Sequence, residues 1–351
     1  MKICFVGKRF YTNKDALTER FGRIYQLPLH WHAAGHDVRL LLLDYRNGRA
    51  LTSRADGFDV TSLPVRSTWK ASRMARAQAP DVVIASGDCM VGLAARHLAR
   101  ACGARFAFDI YDDYRTFAGY RLFMGWNAYD ALRRSADMIW YSSQALAGPL
   151  GVRSAIVPNG VDPAMFRSLD RDASCERVGL DLDQRWVGYF GSTEVERGVD
   201  DLVEAIGTLH ASDARIRLVI CGGGSDRPRY RQPWVDDRGN VSHASMPDYI
   251  NACDVVTLPY RRGPTIDMAA SCKMAEYLFC QRPIVATDTP SLRTNFPLQA
   301  IKLDHAIARA GDVTDLARAI QFQLRHALIA GTPPGFAWKD IAADALSTLQ
   351  R

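Results

Sequence analysis

Short, nearly continuous apolar runs recur along the chain, separated by longer stretches with apolar residues at helical spacing. In the first half, Lys2 to Gly7 (KICFVG), Asp37 to Leu43, Asp81 to Ser86 (DVVIAS), Arg105 to Tyr111 and Ala136 to Ser143 (ADMIWYSS) read as strands. Helices are predicted over Ile24 to Ala34, closed by Gly35, and over Met90 to Cys102. Strands that are apolar throughout and alternate with helices indicate a parallel sheet covered on both faces. The second half repeats the pattern, with strands at Arg185 to Gly191 (RWVGYFG) and Arg217 to Ile220 and a helix over Val199 to Leu209. Further on, Met274, Ala275, Leu278 and Phe279 recur at helical spacing, which predicts a helix starting near Ser271 as its N-cap. Gln281-Arg282-Pro283 stops it before a buried strand that runs to Asp288. The predicted class is α/β, with two doubly wound, Rossmann-like domains. The first covers 1–165, a linker covers 166–184 because Met165 to Asp183 is charged and lacks an apolar strip, and the second covers 185–334.

Composition adds limits. The 351 residues suffice for two cores, and 48% hydrophobic with 23% charged residues is ordinary for a soluble protein. Eight cysteines form no Cys-x-x-Cys pair and no Cys/His cluster at metal-ligand spacing, as expected of reduced cysteines in a cytoplasmic protein. No run reaches the ~18 apolar residues of a spanning helix, and Met1 to Gly7 is too short an apolar run for a signal peptide, so any membrane contact is expected to be peripheral. The net charge of +6 suits an anionic substrate or an anionic membrane face without singling out either; no nucleic-acid partner is expected. No G-x-G-x-x-G follows the first strand, which argues against a dinucleotide cofactor there.

Candidate chemistry lies where strands end. Loops after the first strand of an open parallel sheet face the ligand crevice, which makes Arg9 and Lys14, in the basic stretch from Lys8 to Arg23, candidates for an anionic acceptor or surface; a solvated charged loop fits equally. FAFDIYDD places Asp109 inside an apolar run, where a buried structural role is expected, and Asp112 and Asp113 just beyond it. Asp112 and Asp113 are candidate catalytic carboxylates, with Asp109 as a further alternative. Asp181-Leu182-Asp183 is a weak metal motif, since it precedes a strand instead of ending one. In the second half, Gly191 and Gly198 permit close backbone approach and Arg197 precedes a helix, as a phosphate cradle requires. Lys273 falls in a first helical turn, where a cation is unwelcome unless an anion shares the site, and Glu276 lies on the same face. Taken alone, that pair fits an exposed i,i+3 ion pair as well as a ligand site.

Wider context favours the ligand site. Ser271 to Asp288 (SCKMAEYLFCQRPIVATD) resembles the donor stretch of the retaining glycosyltransferases of family 4, which have the two-domain GT-B architecture; Glu276 and Pro283 to Thr287 match that family's E…P-V-V-A-T, and Lys273, Glu276, Tyr277 and Leu278 match a variant with K-x-x-E-Y-L. Val157-Pro158-Asn159-Gly160-Val161-Asp162 matches its v-P-N-G-V-D, read as a tight turn in which Asn or Gly supplies positive φ. Cys221-Gly222-Gly223-Gly224 resembles its glycine loop beside the nucleotide base, Arg197-Gly198 its K-G, and the helix after Gly335 the terminal helix that crosses back onto the first domain. Two positions depart from the pattern: Met268 stands where the family has a sugar-contacting glutamate, and Ser192 replaces an arginine.

The resemblance implies transfer of a sugar, with retention, from a nucleoside diphosphate donor to a glycan or lipid-linked acceptor; no bound metal is expected, because helix amides with Arg197 and Lys273 as catalytic cations can stabilise the charge developing on the leaving diphosphate. Gly191, Ser192, Arg197, Gly198, Gly222, Gly223, Met268, Ser271, Lys273 and Glu276 would face the donor, and Asp112 the acceptor. No cofactor is expected. A sugar-nucleotide epimerase and a non-catalytic nucleotide-sugar-binding subunit remain as alternatives.

Overall fold

The computed structural model describes residues 1–350 apart from 12–13, 47, 55, 117–119, 122–124, 224–229 and 270. It divides into two compact units, Met1–Gly160 with Gly335–Arg351, and Val161–Pro334.

Unit 1 contains β1 (Lys2–Lys8), the short hairpin β2 (Phe10–Tyr11) and β3 (Lys14–Asp15), α1 (Gly22–Ala33), β4 (Asp37–Asp44), β5 (Leu51–Ser53), β6 (Asp59–Pro64), α2 (Thr68–Gln78), β7 (Val82–Ser86), α3 (Cys89–Cys102), β8 (Arg105–Ile110), α4 (Ala128–Ser135), β9 (Met138–Tyr141), α5 (Gln144–Ala147) and β10 (Ser154–Ile156). Its sheet has the order β10-β9-β8-β7-β1-β4-β6-β5, parallel except for the edge strand β5. β1 is central and apolar on both faces, with Ile3, Cys4, Phe5 and Val6 wholly buried. α2, α3 and α4 pack in sequence on one another, as right-handed crossovers running in one direction across a sheet require. Asp88 fixes the start of α3 by accepting from the Met90 and Val91 amides at 3.0 and 3.2 Å.

Unit 2 contains α6 (Arg171–Val178), β11 (Arg185–Phe190), α7 (Val199–Ser212), β12 (Ile216–Cys221), β13 (Val235–Gly239), α8 (Met246–Ala252), β14 (Val255–Leu258), α9 (Pro264–Met268), α10 (Cys272–Phe279), β15 (Ile284–Thr287), α11 (Pro290–Asn295), β16 (Ile307–Ala308) and α12 (Val313–His326). Its sheet, β13-β12-β11-β14-β15-β16, is parallel throughout. α13 (Trp338–Leu349) returns to unit 1, where it packs on α1 and its Ala342 carbonyl accepts from the Trp31 indole at 2.8 Å.

Three features differ from the sequence reading. β6 and α2 went unpredicted because polar residues interrupt the apolar run, yet Thr61 and Ser62 of β6 are buried, and Ser62 Oγ accepts from Arg9 Nη1 at 3.3 Å. The segment 166–184, read as a linker, folds with unit 2: α6 is capped by Asp170, packs on α8, and Asn251 of α8 bonds the Leu169 amide and the Arg167 carbonyl at 2.9 and 3.0 Å. Gly160 does not have positive φ. A side chain there would press on Trp338 and Ile341 of α13, so close packing explains the glycine.

Candidate functional site

At the C-terminal edge of the unit 2 sheet, three strands end in loops that touch. Gly191 follows β11 at φ 143° and Gly222 follows β12 at φ 126°; a Cβ on Gly222 would strike the Gly191 carbonyl. Gly198, at φ 64°, opens α7, and a Cβ there would run into the Pro259 carbonyl after β14. Only glycine lets the three backbones approach so closely. Gly223 follows in the same loop, whereas Gly224 lies outside the described residues.

α10 points its N-terminus at this junction. Met274 to Leu278 are all buried, which fixes the helix on the sheet. Ser271 occupies the N-cap position, but its side chain makes no capping bond; its Oγ lies 3.4 Å from the Tyr260 hydroxyl. The Lys273 side chain lies across Gly191, where any Cβ would collide with its Cε, and Nζ donates to the Tyr260 hydroxyl at 3.2 Å. Arg197 reaches the same phenol from the loop before α7, its guanidinium 5.2 Å from the ring centre. Two cations from separate loops thus converge on one buried tyrosine. Burial by itself lifts the Tyr260 pKa, but the neighbouring Lys273 and Arg197 charges outweigh it and hold the phenol below its usual value of 10.0. Glu194, 3.7 Å from Arg197, is held below the usual carboxylate range, since a Ser192 hydrogen bond and the two cations outweigh its desolvation. Glu276 is buried one turn into α10. It contributes, after burial, to raising the Cys272 thiol to about 11, so that cysteine stays protonated near neutrality.

Met268 ends α9, and the neighbouring Asp267 is held by Arg262 at 3.0 Å. Beside Ser271 a small hollow is lined by Tyr260, Met274, Thr287, Ser291 and Asn295 among others.

The corresponding edge of unit 1 carries the acceptor-side candidates. Arg9 is nearly buried and bidentate to Asp15 at 2.8 and 3.1 Å, with Asp44 at 3.5 Å; Lys14 pairs with Glu19 at 3.6 Å. Asp113 is gripped by Arg115 through Nε and Nη2 at 2.6 and 2.9 Å, and this outweighs desolvation to lower its pKa. Asp112 lies half-buried just past β8, its Oδ1 accepting the Asp113 amide at 2.8 Å. Asp109 is wholly buried and bidentate to Arg23 at 2.7 and 2.9 Å, with Ser86 Oγ donating at 2.6 Å. Arg23 also donates to the Asn159 side chain and the Val157 carbonyl at 2.9 and 3.0 Å. Asp181 and Asp183 form a turn, Asp181 Oδ1 accepting the Asp183 amide at 3.0 Å. Among the described residues no three His, Cys, Asp or Glu side chains cluster as a metal site would.

Sequence reasoning missed Tyr260 and the Arg23–Asp109 pair. A signal for Tyr260 did exist: it lies just beyond the apolar strand β14, the same kind of position that singled out Asp112.

Two units built on mainly parallel sheets, the second with glycines, Lys273 and Arg197 meeting at its strand ends, give the GT-B architecture. The chain belongs to the GT-B glycosyltransferases of the family 4 type: the model for glycosyl transferases group 1 matches residues 184–326 and that for the glycosyl transferase 4-like domain matches residues 23–160. It is 29% identical over 218 residues to D-inositol 3-phosphate glycosyltransferase of Stackebrandtia nassauensis, covering 54% of this chain and 47% of that one. It is 28% identical over 205 residues to the putative teichuronic acid biosynthesis glycosyltransferase TuaC of Bacillus subtilis, covering 57% and 47%. The chain thus spans about half the length of these curated relatives. In fold it is similar to Anabaena HepE, solved in complex with UDP and glucose, with a TM-score of 0.71 at 14% identity over 100% of this chain and 99% of that one.

Proposed function

We propose that the chain transfers a sugar from a nucleoside diphosphate sugar to a hydroxyl of a glycan or lipid-linked acceptor, with retention and without a metal ion. The observation that carries this reading is the convergence of Lys273, which lies across Gly191, and Arg197 on Tyr260 beside the N-terminus of α10. Helix amides, an ammonium and a guanidinium together suit a diphosphate and the charge that grows on it as the sugar leaves. Lys273 supplies the charge that Ser192 lacks. Glu276, one turn on, accepts hydrogen bonds from the nucleotide ribose. Gly222 and Gly223 flank the base, while Ser271 and the pocket beside it face the sugar, with Met268 at its rim. On the acceptor side Asp112 orders the attacking hydroxyl. The bond from the anomeric carbon to the diphosphate oxygen breaks as the bond to the acceptor oxygen forms, and the acceptor proton passes to the Asp112 carboxylate. A lipid-linked acceptor would bring the chain to a membrane peripherally; among the described residues no helix is long and apolar enough to cross one.

The test is a panel of UDP-, GDP- and ADP-linked sugars scored by melting temperature, then an assay of nucleoside diphosphate release with the stabilising donor. Release that requires acceptor and survives a strong chelator is expected. Donor binding without release would indicate a binding subunit, and conversion of the donor sugar without acceptor an epimerase.

A further inference from the structure

At the cationic junction of unit 2 the phenol of Tyr260 is held but not used. The residue follows β14 and is 5% exposed, and its carbonyl accepts from the Thr287 hydroxyl at 2.5 Å, which fixes the backbone that carries the ring. Its phenol oxygen accepts a hydrogen bond from Lys273 Nζ at 3.2 Å. An ammonium only donates, so this bond takes up a lone pair of the phenol and leaves the phenol's own proton to be placed. Among the described residues the acceptor in reach is Ser271 Oγ at 3.4 Å, beyond the roughly 2.5–3.0 Å of an O–H···O bond. Other tyrosines of the chain place that proton well. Tyr114 donates to the Asp109 carbonyl at 3.1 Å, Tyr45 to the Asp88 carboxylate at 2.8 Å, and Tyr189 to the Ser192 carbonyl.

A buried hydroxyl whose proton lacks a close acceptor marks a place where the acceptor arrives with a ligand. The surroundings say what kind of ligand. Lys273 and Arg197 flank the phenol, and the Ser271 side chain leaves the first amides of α10 uncapped, so the arriving oxygen is anionic. Donation from the ammonium into the phenol oxygen also polarises the O–H, which strengthens the bond that the phenol in turn offers. Packing alone does not call for the hydroxyl, since a phenylalanine ring would fill the same space.

We propose that Tyr260 is a further catalytic residue, whose O–H donates to the diphosphate oxygen that leaves the sugar. The role rests on the proposed donor site. As the bond from the anomeric carbon to that oxygen breaks, its electron pair stays on the oxygen. The phenol stabilises this charge through a hydrogen bond and keeps its proton, while Lys273 donates into the phenol oxygen from the other side. The contact strengthens as the charge grows, so it favours the transition state over the bound donor.

The experiment is calorimetry on the whole chain with three matched sets: UMP, UDP-glucose and UDP; GMP, GDP-mannose and GDP; AMP, ADP-glucose and ADP. Tyr260→Phe removes one oxygen and keeps the ring, so the variant should fold, which its melting temperature checks. Within the set that the unaltered chain binds, Tyr260→Phe should weaken the free diphosphate about tenfold. Only the free diphosphate carries full charge on the oxygen that leaves. The monophosphate and the nucleotide sugar should therefore weaken by no more than about twofold. Unchanged diphosphate affinity in the folded variant would overturn the proposal. Equal losses for the free diphosphate and the nucleotide sugar would place the phenol on another oxygen, and equal losses for mono- and diphosphate would assign it to packing; either result overturns the proposal as well. Absence of nucleotide binding by the unaltered chain would refute the donor site itself, and this role with it.

Discussion

The two sheets end in edges of opposite electrostatic character. In unit 1 the charges near the strand ends are matched internally: Arg9 with Asp15 and Asp44, Lys8 with Asp88, Arg23 with Asp109, Arg115 with Asp113. In unit 2 Arg197 and Lys273 converge on a phenol, and the nearest carboxylate, Glu194, is 67% exposed. A matched edge has little electrostatic reason to draw in an anion, whereas an edge whose cations share one tyrosine hydroxyl gains from binding one. Of the two edges, that of unit 2 therefore has the stronger electrostatic reason to hold an anion. Arg9 is matched in this way by Asp15 and Asp44, whereas Lys14 has only the half-exposed Glu19 at 3.6 Å.

Breaking the matched edge should have the largest effect. Arg23→Met leaves Asp109 buried without its bidentate partner and should destabilise unit 1 by about 3–5 kcal/mol. Thermal unfolding measures this, and an unchanged melting temperature would refute internal neutralisation. Next comes Asp112→Asn, expected to lower kcat by ~10²-fold with donor affinity nearly unchanged, because the carboxylate acts on the acceptor in the transition state. A stable variant with full turnover would move the role to Asp113.

In unit 2 the comparison sharpens through binding. Lys273→Ala removes a charge-assisted contact and should weaken nucleotide binding by about 1.5–3 kcal/mol, and Glu276→Ala by about 1–3 kcal/mol. Calorimetry on folded variants checks both, and wild-type affinity in either would take that residue out of the donor site.

The smallest effect is in pH dependence. Because Lys273 and Arg197 depress the Tyr260 pKa in the fold, its ionisation adds stability as pH rises through the folded value, in full above the unfolded value of 10.0. A diphosphate brought beside the same cations raises that pKa again, so donor affinity should fall on the alkaline side. Tyr260→Phe should flatten that slope; an identical alkaline limb in the variant would refute the role of the phenol.

What the sequence made legible follows from the range of the forces involved. Strands such as β1, β7 and β11 and the helix α10 are set by local periodicity, and the glycines at 191 and 198 suggested close backbone approach, so they could be read directly, whereas Gly222 came only with the family resemblance. Arg23 and Asp109 are 86 residues apart, and nothing local announces that a basic residue in a presumed loop will be wholly buried in a helix. β6 was hidden because its buried Thr61 and Ser62 look like surface residues until their partners are known. α6 was hidden because it buries only Ser174 and Cys175 and meets α8 through the Cys175 thiol on the Ala252 carbonyl and the Arg177–Asp248 pair, not through an apolar stripe. Tyr260 acquires its meaning only where three loops meet.

The return of α13 to unit 1 has a consequence for how the protein is made. During synthesis α13 emerges from the ribosome after all of unit 2, yet it covers α1, takes the Trp31 hydrogen bond, and closes over Gly160. Unit 1 therefore waits, with the Trp31 face of α1 uncovered, while the later unit is translated and can complete its own sheet. The half of the chain made first is the last to finish folding, and the exposed interval is one in which chaperone capture and misassembly compete with closure.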